Sequence, residues 1–191
     1  ATIQAGTSVS RTKKDGKRDS KLQLADDGNA SIIQQGDIRG GEISADLERI
    51  HFTETKIEAQ KLQDGDVLLR SKGSPMSCAV FKDSKINSLP TIAASAILIL
   101  RPSIEVLLPD FLGWLINSIW GQKMLASRRT GATIPVISRR VLDDVTIPIP
   151  PLQEQKKIAE LATLAKKHEQ LAAQYREKID NLLIAQSLGF G

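Results

Sequence analysis

Asp46, Glu54 and Lys56 stand at a spacing that metal-dependent nucleases use. Two carboxylates can hold Mg²⁺ while a nearby lysine orients the attacking water. Glu-x-Lys triplets are common by chance, however, and no clear strand carries this one, so the nuclease reading rests on the triplet alone. Cys78 as a nucleophile would need a histidine base. His51 and His168 belong to no recognisable motif, and Cys78 sits in an apolar run, so a core thiol is expected. With 1 cysteine there is no internal disulfide framework and no multi-cysteine zinc site. No Walker loop or dinucleotide-binding glycine fingerprint occurs. The residues therefore predict no catalytic set, no metal and no cofactor.

Binding chemistry is better represented. The 26 Lys and Arg against 22 Asp and Glu leave a net charge of only +4. Their distribution is uneven. Residues 11–21 (RTKKDGKRDSK) carry Arg11, Lys13, Lys14, Lys17, Arg18 and Lys21 against Asp15 and Asp19. Residues 128–140 carry Arg128, Arg129, Arg139 and Arg140 and no acid. The rest of the chain is slightly acidic. Like charges concentrated in this way repel each other unless a polyanion lies opposite. The charges alone leave two readings open: two solvated loops, or two loops that neutralise nucleic-acid phosphates. Thr130 and Thr133 flank Gly131 beside the second cluster and can meet a phosphate or a thymine methyl. Lys72-Gly73-Ser74 sits where a strand breaks, and Gly73 allows close approach of backbone to a ligand. Asp37 in Gly36-Asp37-Ile38-Arg39 reads as structural, satisfying turn amides.

These residues need elements to hold them. Residues 1–30 read as an irregular or hairpin start with the segment 11–21 at its tip. Residues 30–34 read as a strand, and Gly40-Gly41 as a turn. Residues 47–60 are ambiguous. Val67–Arg70 and Cys78–Phe81 read as a strand pair. Ile92 to Leu100 is apolar but for Ser95, which predicts one central strand buried on both faces. Pro109 opens a helix whose apolar residues run from Phe111 to Met124 at helical spacing and should pack on the sheet. Ser138 should cap a short helical turn. Val145 to Pro150 can be only an edge or terminal strand, because its prolines lack a ladder donor.

After Pro151 the composition changes. Residues 152–187 contain no Gly and no Pro and are rich in helix formers. They predict a helix roughly 52 Å long, too long to lie half-buried on so small a domain. Its seam reads Ile158, Leu161, Ala165, His168, Ala172, Tyr175, Ile179 and Leu182, the pattern of a coiled coil with close helix approach. His168 reads as a packing residue facing the partner. The division expected is a domain over 1–150, a pairing helix over 151–187 and a tail over 188–191. At 191 residues and 41% hydrophobic, the chain can bury a real core. No stretch approaches the roughly 20 apolar residues that span a bilayer, and no secretory signal pattern is present, so the cytoplasm is the expected location.

Several runs together resemble the specificity subunits of type I restriction–modification systems. They are Ile134-Pro135-Val136-Ile137-Ser138; Leu142 through Pro148, Pro150, Pro151, Leu152, Gln153, Glu154 and Gln155; and Ile158-Ala159. Gly36-Asp37-Ile38, Gly65-Asp66-Val67-Leu68-Leu69, Lys72-Gly73-Ser74 and Pro109-x-Phe111-Leu112 agree with them upstream. The resemblance implies an α/β target recognition domain, with a twisted sheet and packed helices, that reads duplex DNA. It implies one long C-terminal coiled-coil helix pairing antiparallel with another, and docking onto a methyltransferase subunit that performs the chemistry, with a restriction subunit as a further partner. The usual subunit has two recognition domains and two helices. One of each here looks like a half-subunit acting as a homodimer on a bipartite site. A reading from another class is an adaptor whose coiled coil is the function and whose domain binds protein.

Overall fold

The structure, a computed structural model, describes residues 2–6, 27–83, 89–131 and 133–187. The basic segment with Arg11, Lys13, Lys14, Lys17 and Arg18 lies outside the described residues, as does the tail 188–191.

Three sheets form the domain. In the first, β1 (Thr2–Ala5), β9 (Ile97–Arg101), β6 (Val67–Arg70) and β7 (Cys78–Val80) are neighbours in that order, every pair antiparallel. In the second, β2 (Ala30–Ile33) lies between β5 (Glu48–Ile50), antiparallel, and β8 (Thr91–Ala93), parallel. The third is a short pair, β3 (Ile38–Arg39) and β4 (Glu42–Ile43), joined by Gly40-Gly41. Both of these glycines have positive φ, which L side chains resist.

Alternation along the strands explains the layers. Val67, Leu69, Leu98 and Leu100 point to one face of the first sheet. There they meet Phe111, Leu112, Leu115 and Ile116 of helix α2 (Pro109–Asn117). Leu68, Ile97 and Ile99 point to the other face, against Ile33, Ile38, Leu47 and Phe81. Helix α1 (Glu54–Gln60) covers the second sheet through Ile57, which packs with Ile32, Ile50 and Ile92.

Three expected elements are divided or missing. The apolar run from Ile92 to Leu100 is two strands in two different sheets. A turn at Ala94 to Ala96 separates them, closed by Ile97 N–H donating to Ala94 O at 2.9 Å. The turn carries the exposed Ser95, and one serine in an otherwise apolar run is too weak a break to reveal a change of sheet. The helix expected from Phe111 to Met124 breaks at Ser118. The Ser118 hydroxyl donates to Leu115 O (2.7 Å) and accepts from Gly121 N–H (3.1 Å), capping helix α3 (Ile119–Arg128). The break turns Ile119 and Trp120 out to solvent, so only α2 presents a full apolar face to the sheet. Residues 145–150 form no strand. Val145 and Ile147 pack on the core, but the prolines offer no ladder donors, and among the described residues no strand pairs with this segment.

Helix α4 (Arg139–Asp143) follows Ser138 as expected. Helix α5 (Leu152–Ser187) is one unbroken helix of 36 residues, about 54 Å long at 1.5 Å per residue. Gln155 locks its root. This fully buried amide accepts from Leu108 N–H (2.8 Å) and donates to Val106 O and Pro150 O (2.8 Å each). The second glutamine of Pro151-Leu152-Gln153-Glu154-Gln155 thus satisfies three backbone groups that burial would otherwise orphan.

Candidate nucleic-acid interface

The end of β6 builds the site. Beyond Arg70, Ser71 N–H donates to Ala96 O and Ser71 O accepts from Ile137 N–H (2.8 Å). Lys72 then bridges Val136, and Gly73 N–H donates to Pro135 O at 2.9 Å. Val136 is shared. Its other side exchanges both backbone hydrogen bonds with Thr130, at 2.7 and 2.9 Å. Lys72 and Thr130 therefore flank one residue, roughly 10 Å apart at two strand spacings. The Lys72-Gly73-Ser74 turn and the Arg128-Arg129-Thr130 segment, far apart in the chain, become neighbours.

Glycines make the tight turns possible. Gly73 has φ +90° and Gly131 φ +94°. A Cβ on Gly131 would lie 2.4 Å from Ile134 O. That close approach holds the loop bearing Thr133 and Ile134, both exposed. Arg128 ends α3, its Nη1 donating to Met124 O at 3.4 Å, a placement favoured at a helix C-terminus. Lys72, Ser74, Arg128, Arg129, Thr130 and Thr133 are all exposed. Among the described residues, Lys72, Arg128, Arg129 and Arg140 form no ion pair, whereas Arg139 lies 3.9 Å from Asp143 within α4. Shared backbone pairing through Pro135 and Val136 joins Lys72, Gly73 and Thr130, and Ser74, Arg128, Arg129 and Thr133 flank these residues in the chain. No contact ties Arg139 or Arg140 to that group.

The two Gly-Asp motifs are structural twins. Asp37 accepts from Gln34 N–H at 2.7 Å, and Asp66 from Gln63 N–H at 2.8 Å. Asp66, fully buried, also accepts from Arg101 Nε and Nη2, both at 2.7 Å. That bidentate contact raises the Arg101 pKa against the opposing effect of burial.

The residues weighed for catalysis are placed differently. Glu54 opens α1, and Lys56 sits over the Phe52 ring, 5.9 Å from its centroid. Among the described residues no three His, Cys, Asp or Glu side chains cluster as metal ligands. Cys78 is buried in the core, its Sγ donating to Gly113 O at 3.4 Å, and burial pushes the thiol pKa far up. A thiol so placed gives no thiolate nucleophile.

Helix α5 has two opposed faces. At 100° per residue, Gln155, Ala159, Ala162, Lys166 and Gln170 share one side. Gln155 and Ala159 are buried on the domain, Lys166 Nζ meets Glu42 Oε1 at 2.6 Å, and Gln170 Nε2 donates to the same carboxylate at 3.2 Å. Leu161, Ala165, His168, Ala172, Tyr175, Ile179 and Leu182 fall on the opposite side, all exposed. Leu164 and Leu171 widen this stripe beyond the seam expected from the sequence. Ile158 is a correction. It packs against the domain's own core, not in a free seam, because α5 is already docked at that turn. Sequence reasoning also passed over Arg70 and Gln35, which lie beneath the Lys72 turn; a strand-terminal arginine carries no signal of its own.

The family model of the type I restriction modification DNA specificity domain matches residues 9–180, and the chain belongs to that family. Solved structures agree in fold. The HsdS subunit from Thermoanaerobacter tengcongensis is similar at TM-score 0.57 and 19% identity, over 82% of this chain and 41% of that one. A chain from a study of complex assembly and conformational transition in the type I R-M system is similar at TM-score 0.62 and 19% identity, over 83% and 42%. The S subunit from M. genitalium is similar at TM-score 0.50 and 15% identity, over 90% and 38%. The chain thus spans about two fifths of the length of these structures. No curated protein matches it. Among the described residues no helix is long and apolar enough to cross a membrane.

Proposed function

We propose that this chain is a non-catalytic reader of duplex DNA sequence that places a methyltransferase subunit, and with it a restriction subunit, on a bipartite site in the cytoplasm. The single observation that carries the reading is the Val136 junction. It brings together Lys72 and Thr130, with Ser74, Arg128, Arg129 and Thr133 exposed beside them in the chain, and among the described residues none of these cations has a carboxylate partner. Unpaired cations on rigidly joined loops suit phosphate contacts, and the threonines and arginines suit base edges. Arg139, Arg140 and the basic residues of 11–21 belong to the same proposed surface. Residues 1–150 form the reading domain and 151–187 the pairing helix. A second copy of the chain lies antiparallel along the exposed face of α5, separating two reading domains over an interrupted palindrome.

The test is duplex binding across a salt series. A sequence selected from a random duplex library should bind steeply with salt. Replacing Arg128 and Arg129 by Ala should weaken binding and flatten the slope by about 1 to 2 units. Affinity and slope unchanged by both substitutions would overturn this face.

A further inference from the structure

The β6–β9 ladder has an arginine at each end, and the two are treated oppositely. Arg101 ends β9 beside the start of β6, where the buried Asp66 carboxylate takes it bidentately. Arg70 ends β6 opposite Ile97 and has no ion pair among the described residues. It is half-buried, and its Nε is shut off from solvent with no hydrogen-bond partner among the described residues. A guanidinium held half in the protein without a carboxylate lacks the compensation that Arg101 has.

Its surroundings show which way it is aimed. A Cβ built on Gly73 would lie 3.7 Å from Arg70 Nη2 and 3.6 Å from Gln35 Nε2. Both polar groups therefore lie against the side of Gly73 where a side chain would stand, and Gly73 has none to cover them. Gln35 Nε2 donates to Lys72 O, which fixes the turn over Arg70. Ser71 anchors the other side through Ala96 and Ile137. The exposed Lys72 belongs to this turn, and Thr130, which follows the exposed Arg128 and Arg129, pairs with the same Val136. Long free cations at a rim suit phosphates, whose contact tolerates movement. A guanidinium immobilised by its own strand suits a contact that must discriminate by geometry.

We infer that Arg70 reads a base, donating through its guanidinium to the O6 and N7 acceptors of a guanine in the major groove, and that Gln35 is the positioning residue that holds the turn open above it. This rests on the DNA-reading proposal and names a specificity determinant within it. Affinity of the full chain should be measured for its library-selected duplex and for an unrelated duplex of equal length, at two salt concentrations. The ratio of the two affinities is the readout, because partial misfolding lowers both equally. Arg70→Gln should cut the ratio by roughly tenfold or more while leaving the salt slope for the unrelated duplex unchanged. Arg70→Lys should not restore the ratio, since an ammonium cannot make the bidentate contact. Gln35→Ala should lower the ratio by a smaller factor, and it tests the same turn if the Arg70 variants do not fold. An equal loss on both duplexes with a slope flatter by about 1 marks a phosphate contact and overturns the base reading. An unchanged ratio in both Arg70→Gln and Gln35→Ala also overturns it. A wild-type chain that binds no duplex overturns the parent proposal itself, and that result is visible before any variant is made.

Discussion

From Leu152 to Gln170, α5 lies along its own domain; from Leu171 to Ile184 every residue is exposed. The two stretches have the same kind of composition, rich in Ala, Leu, Lys, Gln and Glu, and the same intrinsic helicity. What differs is the tertiary contact. The first stretch buries Gln155 and Ala159, packs Ile158 on the core, and pairs Lys166 with Glu42. The second carries Leu171, Tyr175, Ile179, Leu182 and Leu183, each between 44% and 70% exposed, with nothing among the described residues to cover them. Helical stability in proteins comes mostly from packing of an apolar face. The first stretch has that packing within the chain, and the second presents a face for another helix.

The largest expected effect falls on the exposed side of α5, which runs through both stretches and carries Leu161 and Ile179. Asp at Leu161 and Ile179 together would bury unpaired charge in the proposed pair, at several kcal/mol per ion. Sedimentation should show dissociation, while thermal unfolding of the domain stays within about 0.5 kcal/mol, as for surface substitutions. A wild-type chain that remains monomeric at tens of micromolar would remove the second copy as the partner and leave the seam to a different helix. The next effect belongs to the docked stretch. Gln155→Ala leaves Leu108 N–H, Val106 O and Pro150 O without their buried partner. At about 1–3 kcal/mol for a buried unsatisfied group, a loss of about 3 kcal/mol is expected, read by chemical denaturation. Self-association of the folded fraction should be untouched. If Gln155→Ala instead dissociates the chain without destabilising it, the division between the two faces fails.

Cys78 reports on the domain alone. A thiol reagent at mild alkaline pH should react only at the rate of unfolding, in the wild type and in the Leu161, Ile179 double variant alike. Because burial raises the folded thiol's pKa from its ordinary 9.0, its stabilising contribution is complete below that value. It declines as pH rises above it, where the unfolded thiol ionises. Cys78→Ala should show a shallower alkaline loss of stability. The smallest effect is Lys166→Ala. Its pair with Glu42 is short, but the two side chains are 35% and 62% exposed, so the cost should be under about 1 kcal/mol and fall further with salt.

Elements of the site differ in how far they could be read from the chain. Gly36-Asp37 and Gly65-Asp66 are legible as turns because a carboxylate three residues after an amide closes a local ring. Ser138 is legible as the residue before a helical turn and stands at its N-cap position, although its side chain makes no capping hydrogen bond. Ser118 was equally local, a cap residue after Asn117, but the apolar periodicity around it favoured one continuous helix. Trp120 therefore looked like core and is 45% exposed. Arg70 had no local signal, since the same strand ending would serve an arginine paired like Arg101.

The sequence by itself determined the long helix after Pro151, its apolar stripe, the strand cores around Leu68 and Ile99, and the two basic clusters. Each depends on propensity, periodicity or charge within a short window, where neighbours in the chain are neighbours in space. Only the tertiary structure decided that Ile92 and Ile99 belong to different sheets, that Ile158 faces inward, and that among the described residues Arg70 has no ion-pair partner while Arg101 has one. It also decided that Val136 joins the Lys72 turn to Thr130. Those outcomes depend on which distant backbone and side-chain groups satisfy one another when the chain closes, and no local pattern encodes that pairing.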